Sequence, residues 1–251
     1  MITFNHIPIE EQVVVLFPGQ GAQHVGMGKK INKKPQEIGG PKSKLDQTIY
    51  CQPAMFVSSL AAWEKAKLEE ETLDSRVTDV AGFSVGEFAA FVLAGILSFK
   101  DVANYLFCGV KVVGASETCM QFLESTQEKY SFQVVKRLAV SGAFHTALMK
   151  DAVDIMKEAL KDVTIQLPPR VNIYSNYTGK LHTYKDKQIR EAIIKQICSP
   201  VKWEQIQQLL HSKHQNYKFP RFMEVGPGKQ LGAMLLRISK KAYKNYMSYP
   251  V

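Results

Sequence analysis

Cysteine is scarce and scattered. Cys51, Cys108, Cys119 and Cys198 are the only four, and no two form a CxxC pair. This spacing argues against a zinc site and against a disulfide framework, and it suits a reducing compartment. No apolar run approaches the ~20 residues of a membrane-spanning helix, so no membrane segment is expected. No arginine-rich cluster is interleaved with aromatics, so nucleic acid is not an expected partner. The glycines of "GQGAQHVGMG" form neither a dinucleotide fingerprint nor a Walker loop, which leaves nucleotide-dependent chemistry without a motif. The opening "MITFNHIPIEEQ" has no apolar core and is not an Arg-rich amphipathic helix, so it carries no targeting signal. Arginine is missing from a long central stretch, with none between Arg76 and Arg137.

What remains is an ordinary globular composition. The 251 residues are 45% hydrophobic and 22% charged, enough for one large domain, or one with a small insert. The net charge of +9 suits a partner that carries phosphates or acidic side chains. The hydrophobic pattern predicts a buried strand and Pro-Gly loop over 13–23, loop over 28–46, and a helix over 52–71 with Pro53 in its first turn. A strand follows at 77–84 and a helix at 85–97. Residues 104–116 read as mostly strand, 117–130 as helix, 132–145 as strand then loop, and 147–163 as an amphipathic helix. A strand leads to a turn over 169–179, helices cover 187–199 and 202–214, and 221–235 reads as strand, Gly-Pro-Gly loop and helix. Strands alternating with helices predict an α/β fold on a largely parallel sheet.

The stretch "VAGFSVGEFAAF" at 80–91 puts Ser84 between Gly82 and Gly86, after strand formers and before helix formers. This is the pattern of a nucleophile elbow, a sharp strand-to-helix turn that exposes the serine oxygen. A G-x-S-x-G sequence also occurs in ordinary strand-to-helix loops, so the motif needs a partner base. Six histidines are available: His6, His24, His145, His182, His211 and His214. His182, His211 and His214 stand in polar, lysine-rich surroundings and read as surface residues, and His6 lies near the start. His145, in "AVSGAFHTALM", occupies a small-residue loop between a strand and a helix. Taken alone, it fits a capping or core histidine as well as a base.

Seven blocks change that balance. "LFPGQGAQHVGMG", "QPAMFVSSLAA", "AGFSVGEFAA", "LAVSGAFHTALM", "YSNYTG", "SPVKWEQ" and "EVGPGKQLGAML" occur in the order found in malonyl-CoA:acyl-carrier-protein transacylases. The chain is identified by them as resembling that family, in its mitochondrial animal form. The resemblance implies an α/β-hydrolase-like parallel-sheet core, at 1–100 and 137–251, with an inserted ferredoxin-like subdomain whose remnant spans 101–136. It implies a Ser84–His145 pair, with His145 steered by a main-chain carbonyl of the 224–231 loop. It places the oxyanion on the N–H groups of Gln20 and Val85, and substrate-binding groups at Gln52, Asn104, Gly226 and Gln230. It implies malonyl transfer from coenzyme A to the phosphopantetheine thiol of acyl carrier protein. It further implies no cofactor beyond the thioester substrate, a monomer, and a mitochondrial location.

The chain also departs from the pattern. Only 61 positions separate Ser84 from His145, fewer than in the family, and a second, shorter piece is missing around 28–44. The chain therefore reads as an internally shortened form. The missing central piece would hold the arginine that pairs the malonyl carboxylate, a bidentate contact that lysine does not mimic. Loss of selectivity for malonyl over acetyl is expected, and so is reduced stability, because an incomplete subdomain leaves sheet edges and apolar faces uncovered. Phe83 stands where many relatives carry histidine. Two alternatives stay open. One is a shortened form that only binds carrier protein, or has lost its activity. The other is an α/β-hydrolase esterase, disfavoured because its base would have to be the late His211 or His214.

Overall fold

The computed structural model describes residues 1–28, 41–107 and 143–250. Its centre is a five-stranded sheet: β1 (Val13–Phe17), β2 (Val77–Gly82), β3 (Asn172–Ile173), β4 (Arg221–Val225) and β5 (Tyr246–Tyr249). The strand order is β3-β2-β1-β4-β5, and every neighbouring pair is parallel. β1 lies in the middle, and all five of its residues are buried. A parallel sheet covered on both faces needs such a continuous apolar run. Alternation along the strand still sorts the side chains. Val13, Val15 and Phe17 join a core with Phe56, Trp63, Phe88 and Phe91, from the helices Thr48–Glu69 and Gly86–Leu93. Val14 and Leu16 face the other layer, with Trp203, Ile206 and Leu210 of the helix Trp203–His211 and Leu231 and Leu235 of the helix Gln230–Ile238.

A buried carboxylate ties β4 to its following helix. Glu224 accepts hydrogen bonds from the Leu231 and Gly232 N–H groups and from the Tyr246 hydroxyl. The first N–H groups of a helix have no partner within it, so a carboxylate there both satisfies donors and meets the positive end of the dipole. The glutamate of "EVGPGKQL" is therefore a cap reached across the loop.

Several expectations shift. Residues 28–46 are not all loop: a short helix, Lys42–Leu45, opens after Pro41. The next helix begins at Thr48, so Pro53 sits inside it rather than in its first turn. Residues 104–107 are helical, the end of Phe99–Phe107, rather than strand. Ser98 caps that helix: its hydroxyl accepts from the Asp101 N–H at 3.1 Å and donates to the Asp101 carboxylate at 2.7 Å. Such a cap outweighs the strand preference of Tyr-Leu-Phe. The helix expected over 147–163 is a single 3₁₀ turn and then Asp151–Leu160. Of 169–179 only Asn172–Ile173 pairs as strand, because Tyr174 already bridges back to Leu181. β5 had no counterpart in the sequence reading. The elements expected over 108–142, and most of the 101–136 remnant, lie outside the described residues. Among the described residues no helix is long and apolar enough to cross a membrane.

Candidate active site

β2 ends at Gly82, and the next helix begins at Gly86. The corner between them holds Ser84 at φ +54°, a left-handed conformation that costs a non-glycine residue on the order of 1–3 kcal/mol. Both glycines are there for room. A Cβ on Gly82 would sit 2.0 Å from the Gly86 carbonyl, and one on Gly86 would sit 2.3 Å from the Phe17 oxygen. Asn176 clamps the corner. Its Oδ1 accepts from the Ser84 N–H at 2.8 Å, and its Nδ2 donates to the Gly82 carbonyl at 2.7 Å. Phe83 turns away and meets Trp203 edge-on, with centroids 5.5 Å apart.

The structure brings Ser84 and His145 together. Ser84 Oγ lies 2.7 Å from His145 Nε2. His145 is also left-handed, at φ +64°, and its own N–H donates to the Ile197 carbonyl. The other ring nitrogen, Nδ1, lies 2.8 Å from the carbonyl of Gln196. That corrects the expected acceptor. Gln196 is the last residue of the helix Asp186–Gln196, where carbonyls have no partner further along the helix. A carbonyl only accepts, so Nδ1 carries the proton and Nε2 is left as the base. Burial, above all, holds the His145 pKa below its ordinary value of 6.5, while the Gln196 carbonyl and the Glu87 charge oppose that shift.

The remaining predicted residues take these places. Val85 is buried at the head of the nucleophile helix. Among the described residues its N–H has no intramolecular acceptor. The loop that carries Gln20 lies against the elbow: the Phe83 N–H donates to Phe17, and a Cβ on Gly19 would sit 2.6 Å from the Phe83 carbonyl. The Gln20 side chain donates to Thr48 Oγ1 at 3.1 Å. Gly226, at φ +124°, has room for no side chain beside Ser59 and Pro18. Gln230 reaches back to the Gly21 carbonyl at 2.7 Å and so joins the two glycine loops. Gln52 is half-buried on the long helix. Asn104 lies on the helix Phe99–Phe107, and its side chain is outside the described residues. Gln52 is not among the hydrogen-bond partners of Ser84 or His145.

Four residues beside the pair escaped the sequence reading: Asn176, Gln196, Glu87 and His182. Glu87 is a lone charge in the apolar run "GEFAAFVLAGIL", which was the available signal, since such a carboxylate must be buried and bonded. His182 is a correction. It is 6% exposed rather than at the surface, with Nε2 2.9 Å from Glu87 and its ring against Phe91. Its polar sequence neighbours hid that. His211 and His214 pack against Phe219 and Tyr217, and neither is among the partners of Ser84, so the esterase reading has no base here. The Cys51 thiol, pushed up to about 12 by burial, is no nucleophile. Among the described residues no group of acidic, histidine or cysteine side chains could hold a metal ion.

Comparison with known proteins bears on the same residues. No family model matches the chain. The human mitochondrial malonyl-CoA-acyl carrier protein transacylase is 33% identical, over 95% of this chain and 80% of its own. A probable mitochondrial transacylase of that name from Drosophila melanogaster is 32% identical, over 93% of this chain and 81% of its own. The alignment with the human protein runs over 314 positions, more than the 251 residues present. The human chain therefore carries residues within the aligned region that this one lacks. The solved structure of the malonyl CoA-acyl carrier protein transacylase of Coxiella burnetii superposes with a TM-score of 0.77 at 22% identity, over 96% of this chain and 94% of that one. It has the same fold.

Proposed function

Because the chain belongs to the malonyl-CoA:acyl-carrier-protein transacylase family, we propose that Ser84 and His145 carry a malonyl group from coenzyme A to the phosphopantetheine thiol of acyl carrier protein, for fatty acid biosynthesis. The observation that carries this reading is the 2.7 Å contact between Ser84 Oγ and a base nitrogen whose opposite side is fixed by a carbonyl.

In the first half-reaction His145 Nε2 takes the Ser84 proton as Oγ bonds to the thioester carbonyl carbon. The oxyanion formed there is held by the backbone N–H groups of Val85 and Gln20. Each such donor is worth roughly 10²–10³ in rate. The carbon–sulfur bond then breaks, His145 returns the proton to the departing coenzyme A thiolate, and malonyl stays on Ser84. In the second half the carrier-protein thiol gives its proton to His145 and attacks the acyl-serine carbonyl. The new thioester leaves with the carrier, and Ser84 Oγ recovers its proton from His145. No cofactor enters either half. The positive end of the helix that starts at Gly86 favours the oxyanion. The +9 net charge speeds encounter with coenzyme A phosphates and an acidic carrier.

Gln52, Asn104, Gly226 and Gln230 are assigned to the rim of the substrate site. The core is assigned to 1–100 and 137–251, and the shortened subdomain to 101–136. We place the protein in mitochondria on the strength of its mitochondrial relatives, and as a monomer on the strength of the family resemblance alone. A test is transfer of labelled malonyl from coenzyme A to a holo carrier protein. Ping-pong kinetics with label on the carrier support the reading, and label released only to water overturns it.

A further inference from the structure

The established serine triad uses a carboxylate against the base histidine, and His145 has a carbonyl in that position. A carboxylate is nevertheless close behind it. Glu87, 2% exposed, lies on the first turn of the nucleophile helix. Its Oε1 faces the Asn176 N–H at 3.2 Å and His182 Nε2 at 2.9 Å, and its Oε2 faces the Gln196 amide. Each of these neighbours leads to the reacting pair. Asn176 also holds the Ser84 N–H, and Gln196 holds His145 Nδ1 through its carbonyl. The Gln196 amide also reaches the Ser84 carbonyl at 3.3 Å.

We propose that Glu87 is the positioning carboxylate of this site, holding the nucleophile through Asn176 and the base through Gln196, with His182 as its third donor. The inference rests on the reading of Ser84 and His145 as the reacting pair. The arrangement explains why a charged side chain occupies a helix otherwise made of apolar residues: in "GEFAAFVL" Glu87 is the single ionisable group. A half-satisfied buried carboxylate would be costly, but three donors converge on this one. Its negative charge favours the imidazolium that forms as Ser84 loses its proton, and it counters part of the burial effect on that ring. The titratable groups that face Glu87 are His182 directly and His145 through Gln196. Behind His182 a cavity of about 370 Å³ is lined by Glu191 and Lys195 of the helix Asp186–Gln196.

The test compares Glu87→Gln, Glu87→Asp and Gln196→Met with the parent. One readout is the rate of Ser84 acylation by malonyl-CoA against pH. The other is the NMR titration of the His145 ring, assigned against His145→Gln. Circular dichroism and melting establish that each variant is folded. Displacing a reacting group slightly costs on the order of 10²-fold, so Glu87→Gln is expected to slow acylation by about that factor. It also moves the His145 titration to lower pH, and Glu87→Asp, which keeps the charge, restores the titration. A folded Glu87→Gln with unchanged titration overturns the proposal, whether or not the rate falls, because a scaffold role alone would leave the ring's proton affinity in place. If Glu87→Gln does not fold, Gln196→Met decides. It keeps the carbonyl and cuts the link, so acylation within twofold of the parent overturns the proposal. If the parent is never acylated, the function reading fails by itself, and the ring titration still tests the placement of Glu87.

Discussion

Gly86→Ala puts one methyl group where the backbone of β1 already is. The new Cβ would lie 2.3 Å from the Phe17 oxygen and 2.7 Å from the Pro18 oxygen, against ordinary contact at 3.4–4 Å. No flexible side chain can move aside, because both clashing atoms are main chain. The elbow and β1 must separate by about 1 Å, and overpacking of this kind costs roughly 1–3 kcal/mol. For a chain of this size each kcal/mol lowers Tm by about 2–4 °C. The functional effect is expected to be larger, since Ser84 lies two residues from the displaced atom and meets His145 at 2.7 Å. A shift of about 1 Å in a reacting group is worth on the order of 10² in rate. Acylation by malonyl-CoA, followed by rapid quench and intact mass, should therefore slow about a hundredfold, with Tm lower by several degrees. Parent-like acylation and a Tm within a degree would refute the tight-corner argument, because no mild relaxation is open to a backbone-to-backbone clash.

Acidity should act through His145. Burial lowers its pKa below 6.5, so the base is mostly neutral at pH 6.5 and acylation falls to half its maximum only below that pH. Folding stability is full above that value and falls as pH drops from there towards the folded pKa, because the unfolded chain then binds the proton more readily. A half-maximal acylation rate at or above pH 6.5 contradicts this. Malonyl- and acetyl-CoA are expected to acylate Ser84 at rates within roughly tenfold, since the sequence has no arginine between Arg76 and Arg137 to pair the malonyl carboxylate bidentately. Strong rejection of acetyl would show that another group, such as Arg137, binds the carboxylate. Cys51, fully buried with its thiol pushed up to about 12, should resist a soluble disulfide reagent in the native protein and react on denaturation. Fast native labelling at that position would contradict the packing of the long helix.

The parts of the site legible in the sequence are those whose chemistry is local. Gly82, Ser84 and Gly86 announce the elbow because a corner of that sharpness excludes a Cβ at both ends of a five-residue stretch. The strand β1 was legible for a similar reason: a short apolar run before Pro-Gly has few other uses. The acceptor for His145 was not legible, because a carbonyl at a helix end carries no residue signature. Gln196 was invisible as a partner until the helix Asp186–Gln196 ended beside the ring. His182 failed for the opposite reason. Its neighbours are polar, but the turn between Tyr174 and Leu181 folds its ring inward onto Glu87 and Phe91. Strand β5 was missed because a half-buried edge strand of four residues has little pattern to read.

The central claim is that Ser84 becomes covalently malonylated with His145 as its base. The most direct measurement is intact mass of the purified chain after brief mixing with malonyl-CoA, with Ser84→Ala and His145→Ala in parallel. The account predicts one malonyl adduct on the parent, none on Ser84→Ala, and a strongly delayed one on His145→Ala. No adduct on a parent chain that melts cooperatively, or an adduct that persists in Ser84→Ala, would contradict it.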